Sequence, residues 1–279
     1  MLLILFRMLA RLPLPFMQAI GALAGRIIFS LAPRYRRCLL DNLRQAGHQG
    51  VQSAAIREAG KSLAELPFVW CAPSARVLAT AQVENWAIAQ AALAQGRGVI
   101  FLTPHLGCFE IIAQVIAAKM PLTALYRPPR KVALQPLMEG ARQRANLHLA
   151  PANLGGVRTL MKTLKAGGAI GLLPDQVPQH GEGVWADFFG KPAYTMTLSA
   201  KLQRMTGAPI VLTFAERRTG GRGYVVRFAL FAGELSDDPV QQASAINRAM
   251  EQLIAHCPAQ YFWGYNRYKT PAGVVRSDA

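Results

Sequence analysis

Val99-Ile100-Phe101-Leu102-Thr103-Pro104-His105-Leu106-Gly107-Cys108-Phe109-Glu110 begins as an unbroken apolar run, passes through a turn and enters a second apolar segment at Gly107. A short apolar run bounded by turn residues suits a strand buried on both faces, and the segment after Gly107 suits a helix. His105 falls in the turn, and Glu110 follows five residues later on the first helical turn. On one helix that spacing would set the two about 140° apart. With His105 on the turn, the side chains can converge. An imidazole oriented by a carboxylate is the general-base half of a triad, and a substrate that brings its own hydroxyl needs no protein nucleophile. The alternative is that Glu110 caps exposed amides at the third helical position and His105 is a satisfied core histidine. Spacing alone leaves both readings open.

Outward from this stretch, strand and helix signals alternate. Val99–Leu102, Leu122–Tyr126, Ala169–Leu173 and Ile210–Phe214 read as strands. Phe109–Lys119, Val132–Arg144, Gly156–Lys165 and Thr197–Met205 read as helices between them. Tyr224–Phe231 alternates as a further strand, and Val240–Ala255 as a last helix. Upstream, Ala54–Trp70 and Asn85–Gln95 have helical spacing. The pattern predicts a single α/β domain, residues 34–279, with a mixed, mostly parallel central sheet flanked by helices. Residues 1–33 precede it as an N-terminal membrane-anchoring helix. Leu14–Ala32 is long enough to cross a bilayer at about 1.5 Å per residue, or to lie in its interface. Arg34, Arg36 and Arg37 follow directly, which fits a catalytic domain on the cytoplasmic side.

The 279 residues carry 31 Lys and Arg against 15 Asp and Glu, a net charge of +16, with 52% hydrophobic residues. So much positive charge implies an anionic partner, and the apolar excess favours a lipid surface over nucleic acid. No zinc-finger spacing or RNA-binding aromatic signature is present. Cys38, Cys71, Cys108 and Cys257 form neither a C-x-x-C pair nor a metal-ligand set. They read as isolated buried thiols. No metal or cofactor is expected, and no H-E-x-x-H, G-x-S-x-G or P-loop motif appears.

Two segments are polar within apolar surroundings, Tyr126-Arg127-Pro128 and Pro174-Asp175-Gln176, and Phe188-Phe189-Gly190 follows the second after a Gly-rich loop. In an open parallel sheet the carboxyl ends of the strands line the ligand crevice. His105, Arg127 and Asp175 are therefore expected along one sheet edge. Singly, Arg127 reads as a solvated charge and Asp175 as a helix cap. Arg142 and Arg144 lie at helical spacing with Leu137.

Together, Gly98 to Gly107 with Glu110, Tyr126-Arg127-Pro128, Leu173-Pro174-Asp175-Gln176, Asp187-Phe188-Phe189-Gly190, Ala259-Gln260-Tyr261-Phe262-Trp263 and Asn266-Arg267-Tyr268-Lys269-Thr270 resemble a known family. It is the late acyltransferases of lipid A biosynthesis, the lauroyl and myristoyl transferases of the lysophospholipid acyltransferase superfamily. The resemblance runs from the N-terminal anchor to about Thr270 and implies a fold like that of glycerol-phosphate acyltransferases. It implies His105 as general base and Glu110 as its orienting carboxylate. The family's further arginine and acidic residue map to Arg142, with Arg144 as the alternative, and to Asp175 with Gln176 beside it. Arg127 falls in the family's phosphate- or donor-binding segment. Where the family carries Asn and Trp before the glutamate, this chain has Cys108 and Phe109. The backbone amides of Gly107 and Cys108, at the helix start, are expected to hold the developing oxyanion, with an arginine as the alternative donor.

The implied reaction moves a fatty acyl chain from an acyl-carrier-protein thioester, with acyl-coenzyme A as the other donor, to a hydroxyl of an anionic, phosphorylated lipid A precursor. Its implied place is the cytoplasmic face of a bacterial inner membrane. Acylation of another lysolipid or aminolipid, and a non-catalytic basic membrane-binding role on the same fold, are the alternatives.

Overall fold

The computed structural model describes residues 2–127 and 144–275. The expected N-terminal anchor is two helices, α1 (Leu2–Leu9) and α2 (Leu14–Leu31). Pro13 holds extended backbone immediately before α2, and proline, with its fixed φ and no amide hydrogen, suits a helix start but not a helix interior. Then come α3 (Pro33–Gln45) and α4 (Gln52–Ala64), followed by α5 (Leu66–Cys71) and α6 (Ser74–Leu78). The sequence predicts one helix over Ala54–Trp70, but Pro67 divides it into α4 and α5, because its ring clashes with the carbonyl four residues back.

The remaining elements build the sheet. They run β1 (Ala81–Glu84), α7 (Trp86–Leu93), β2 (Val99–Leu102), α8 (Phe109–Ala117) and β3 (Leu122–Tyr126). After residues 128–143, β4 (Leu147–Pro151), α9 (Leu154–Lys165) and β5 (Ala169–Leu172) follow. The expected Val132–Arg144 helix lies, but for Arg144, outside the described residues. Next come β6 (Gly183–Phe188), β7 (Lys191–Met196), α10 (Leu198–Thr206), β8 (Ile210–Arg217), β9 (Tyr224–Leu230) and α11 (Pro239–His256).

Seven strands form one sheet in the order β1-β9-β8-β2-β5-β3-β4. Every pairing is parallel except that of β8 with β9. β2 sits centrally, with all four residues buried. Its period-two alternation divides the core. Ile100 and Leu102 pack with Ile170, Leu172 and Leu212 on one face, and Val99 and Phe101 pack with Ala169, Val211 and Phe228 on the other. A central strand covered by helices on both faces must be apolar throughout, which is what the opening run encodes.

β1, β4 and the β6–β7 hairpin were not among the expected strands. The hairpin closes on Phe189 (φ 49°) and Gly190 (φ 69°), two positive-φ residues as a tight two-residue turn requires. Phe188-Phe189-Gly190 is therefore the end of a hairpin.

α2 meets α4 backbone to backbone. A Cβ on Gly60 would lie 1.9 Å from the Gly21 carbonyl oxygen, and one on Gly25 would lie 2.3 Å from that of Ile56. Only glycine permits such an approach. Gly60→Val is expected to force the two helices apart and cost about 1–3 kcal/mol in chemical denaturation; a wild-type unfolding midpoint would show that the crossing carries no packing energy.

Candidate active site

β2 and β5 are parallel neighbours, with Leu102 opposite Leu172. Three residues beyond each strand end stand His105 and Asp175. Equal offsets from a shared register bring the imidazole and the carboxylate together at the carboxyl edge of the sheet. The Thr103 amide still donates to the Leu172 carbonyl (3.2 Å), so the pairing persists one residue past the strand.

Asp175 grips His105 twice. Its Oδ2 accepts the His105 backbone amide at 2.8 Å, and its Oδ1 lies 2.7 Å from His105 Nδ1. Asp175 is 2% exposed. Burial alone pushes its carboxyl up, but the His105 ring, its two hydrogen bonds and the Arg267 guanidinium outweigh burial and hold it below the ordinary carboxylate value. Facing an ionised carboxylate, Nδ1 carries the ring hydrogen and Nε2 is left as the basic nitrogen. Gln176 Nε2 lies 3.0 Å from it and donates to its lone pair.

Glu110 stands on the first turn of α8, where its Oε2 accepts the Trp70 indole hydrogen (3.0 Å). The carboxylate that the structure sets on His105 Nδ1 is Asp175, supplied by the neighbouring strand. Phe109, one position before Glu110, packs its ring edge-on to the imidazole with centroids 4.7 Å apart.

His105, Glu110, Gln176 and Arg127 line one cavity of about 290 Å³, whose apolar walls include Phe109, Ala113, Leu125 and Leu149. Arg127 is exposed just beyond β3. Arg144 instead turns inward, donating to the Val69 and Trp70 carbonyls and to Gln114, so it fastens the end of α5. Arg142 lies outside the described residues.

The Gly107 and Cys108 amides, expected as oxyanion donors, are both engaged elsewhere. Gly107 N–H donates to the Gln260 carbonyl (3.0 Å) and Cys108 N–H to that of Ala215 (2.9 Å). The reason is local. Gly107 takes a left-handed φ of 60° and presses so close to β8 that a Cβ would lie 1.8 Å from the Ala215 oxygen. That fold turns the Cys108 amide onto β8 and the Gly107 amide onto Gln260, in the turn after α11. Cys108 is 3% exposed, and burial together with the Glu65 charge pushes its thiol well up, which disfavours a thiolate nucleophile.

Trp70 contributes to this site without having been singled out in the sequence, and Phe109 was marked there only as a departure from the family's tryptophan. The aromatic cluster at the end of the Ala54–Trp70 helix signal was the one available hint. Among the described residues, no group of three or more His, Cys, Asp or Glu is placed to hold a metal ion.

Residues 1–270 match the family described as bacterial lipid A biosynthesis acyltransferase. The lipid A biosynthesis palmitoleoyltransferase of Escherichia coli (strain K12) is 28% identical over 220 residues, 78% of this chain and 71% of that protein. The lipid A biosynthesis lauroyltransferase of the same organism is 25% identical over 279 residues, 96% of this chain and 90% of the relative. With a family match that runs through both N-terminal helices, the sheet and the site, the chain belongs to the bacterial lipid A biosynthesis acyltransferases.

Proposed function

We propose that this protein transfers a fatty acyl group from an acyl-carrier-protein thioester to a hydroxyl of a lipid A precursor, with His105 as general base. The observation that carries the mechanism is the Nδ1–Asp175 bond, which leaves Nε2 basic beside an apolar cavity. An acyl chain needs such walls, and a thioester needs no metal to be attacked. The acceptor hydroxyl displaces the Gln176 amide from Nε2. As its oxygen attacks the thioester carbonyl, Nε2 takes the proton. The carbon–sulfur bond then breaks, and the imidazolium returns that proton to the departing thiolate. Such a base contributes about 10²–10⁴-fold.

Glu110, on the cavity wall, stabilises the imidazolium, while Asp175 fixes its tautomer. Among the described residues, the Gln176 amide and the Arg127 guanidinium on the cavity wall are side-chain donors for the oxyanion. No acyl-enzyme is needed. The net charge of +16 suits an acidic carrier protein and a phosphorylated acceptor.

The apolar stripe of α2 supports a membrane surface as the place of reaction. Phe16, Ile20, Leu23, Ile27 and Leu31 are all exposed and recur at helical spacing, opposite the buried Leu14, Met17, Gln18, Gly21 and Gly25. One face docks on the protein, and the other is free to enter lipid, with Arg11, Arg26, Arg34 and Arg37 exposed nearby to meet anionic headgroups. The catalytic edge then faces the cytoplasmic side of the inner membrane.

Lipid A from cells lacking the protein is expected to miss one acyl group by mass spectrometry, restored by the wild-type chain and not by His105→Ala. Unchanged lipid A would overturn the acceptor assignment and direct the comparison to other polar lipids. Asp175→Asn is expected to lower kcat by about 10²–10⁴-fold, since an amide facing Nδ1 favours the tautomer with its hydrogen on Nε2; near-wild-type turnover would remove Asp175 from the mechanism. The same pair has a stability signature. A carboxyl held low in the folded state stabilises above its unfolded value near 3.9 and loses that contribution as pH falls through the folded one. The stability gap between wild type and Asp175→Asn should therefore persist down to about pH 5 and close below about pH 4.

A further inference from the structure

Behind the histidine turn lies a buried ion pair that the proposed chemistry does not use. Arg217, at the end of β8, and Glu65, between α4 and α5, are 4% and 1% exposed. Arg217 Nε donates to both Glu65 oxygens, each at 2.9 Å. Its Nη2 donates to Glu65 Oε1, to Ser62 Oγ and to the Gly107 carbonyl, each at 2.7 Å. Nη1 reaches Glu58 at 3.4 Å. Glu65 Oε2 also accepts the Tyr224 hydroxyl (3.0 Å) and, from α2, the Gln18 amide (3.2 Å).

A buried ion pair is weak evidence of stabilisation, because apolar residues of similar volume often serve as well. What the guanidinium does beyond its carboxylate is therefore informative. Its extra bond goes to Gly107, two residues after His105, whose carbonyl precedes the first turn of α8. The surrounding backbone locks the same place. Gln260 accepts the Gly107 amide on its carbonyl (3.0 Å). Its side chain accepts the Arg217 amide (2.8 Å) and donates to the Arg217 carbonyl (3.0 Å). Phe262 N–H donates to the His105 carbonyl (3.1 Å). His105 is thus gripped by Asp175 on its ring side and by Arg217, through Gly107, on its backbone side.

We propose that Arg217, held by Glu65, is a positioning residue for His105, and that Gln18 ties the N-terminal apolar helix to the same turn. The inference rests on the reading of His105 as the base. It makes α2 part of the apparatus that aims the imidazole, so seating that helix on a lipid surface bears on turnover as well as on location.

Purified full-length enzyme in detergent, carrying Arg217→Lys or Gln18→Leu, tests this by steady-state kinetics, melting temperature and the ring-nitrogen NMR resonances of His105. Lysine keeps the charge but loses the fork that spans Glu65 and Gly107. A misplacement of about 1 Å can cost about 100-fold. Arg217→Lys is expected to lower kcat by about 10- to 100-fold, with KM nearly unchanged and the His105 resonances shifted. Gln18→Leu, which lies off the cavity, should show the same pattern at a several-fold loss. Wild-type kcat and His105 resonances in folded Arg217→Lys, even with a lower melting temperature, would reduce the network to stability and overturn the proposal. Should Arg217→Lys not fold, wild-type values in Gln18→Leu overturn it. An active His105→Ala would instead sink the base assignment itself, an outcome distinct from failed positioning with an inactive His105→Ala.

Discussion

The parallel register that sets Leu102 opposite Leu172 carries the whole site, because two side chains from segments 70 positions apart meet only if both strands end together. A shift of one residue would turn Asp175 to the other face and exchange Ile170 and Leu172 with the small Ala169 and Gly171 between the two cores. The burial of β2 and β5 on both faces therefore protects the chemistry as well as the core. The same rule explains why the cavity opens at this edge. Parallel strands deliver their carboxyl ends side by side, and the connections there are free to diverge into a crevice.

Two buried carboxylates flank the turn, and each faces a different partner. Asp175 lies against the imidazole with Arg267 behind it, and Glu65 lies against Arg217. Either carboxylate alone would be expensive to bury ionised. Paired, they act as rigid fixtures whose remaining lone pairs and hydrogens are directed at backbone. Asp175 accepts from the His105 amide, and Arg217 donates to the Gly107 carbonyl. A turn pinned from both sides has little freedom to let the ring swing, and this is the pre-organisation that the proposed base, acting without a covalent partner, requires.

Much of this was legible in the sequence because it is local or depends on simple offsets. The apolar run at Val99, the glycine turn and the polar ends after Leu102 and Leu172 are short-range signals, and a parallel sheet converts them into one edge. The exact partners were not. The amides of Gly107 and Cys108 looked free because their acceptors, Gln260 and Ala215, belong to distant segments that only the folded sheet brings near. Glu110 looked like the sole partner of His105 because it is close in the chain, whereas Asp175 becomes close through strand pairing. Arg217 and Glu65, 152 positions apart, carry no motif that would join them. The break at Pro13 was visible in the residues, but its consequence, a helix folded back on α4, depends on glycines at Gly21, Gly25 and Gly60 that meet only in three dimensions.

That crossing bears on how an apolar N-terminus works. Gly21 and Gly25 form the small-residue spacing by which helices approach backbone to backbone in lipid, yet their partner α4 carries Arg57, Glu58 and Lys61. Charged side chains are costly in a hydrocarbon core, so under the proposed membrane reading α2, docked on this helix, lies at the surface instead of crossing the bilayer. Length and hydropathy qualify α2 as a span, but its contacts make it a surface element with one face on protein and one apolar face outward. Gln18, buried on the protein face and bonded to Glu65, would lose its partner if α2 left to insert alone. On the proposed membrane surface, the contacts of α2 favour a helix that lies along the bilayer, with its outer stripe toward lipid and its inner face keeping Gln18 on Glu65 behind the histidine turn.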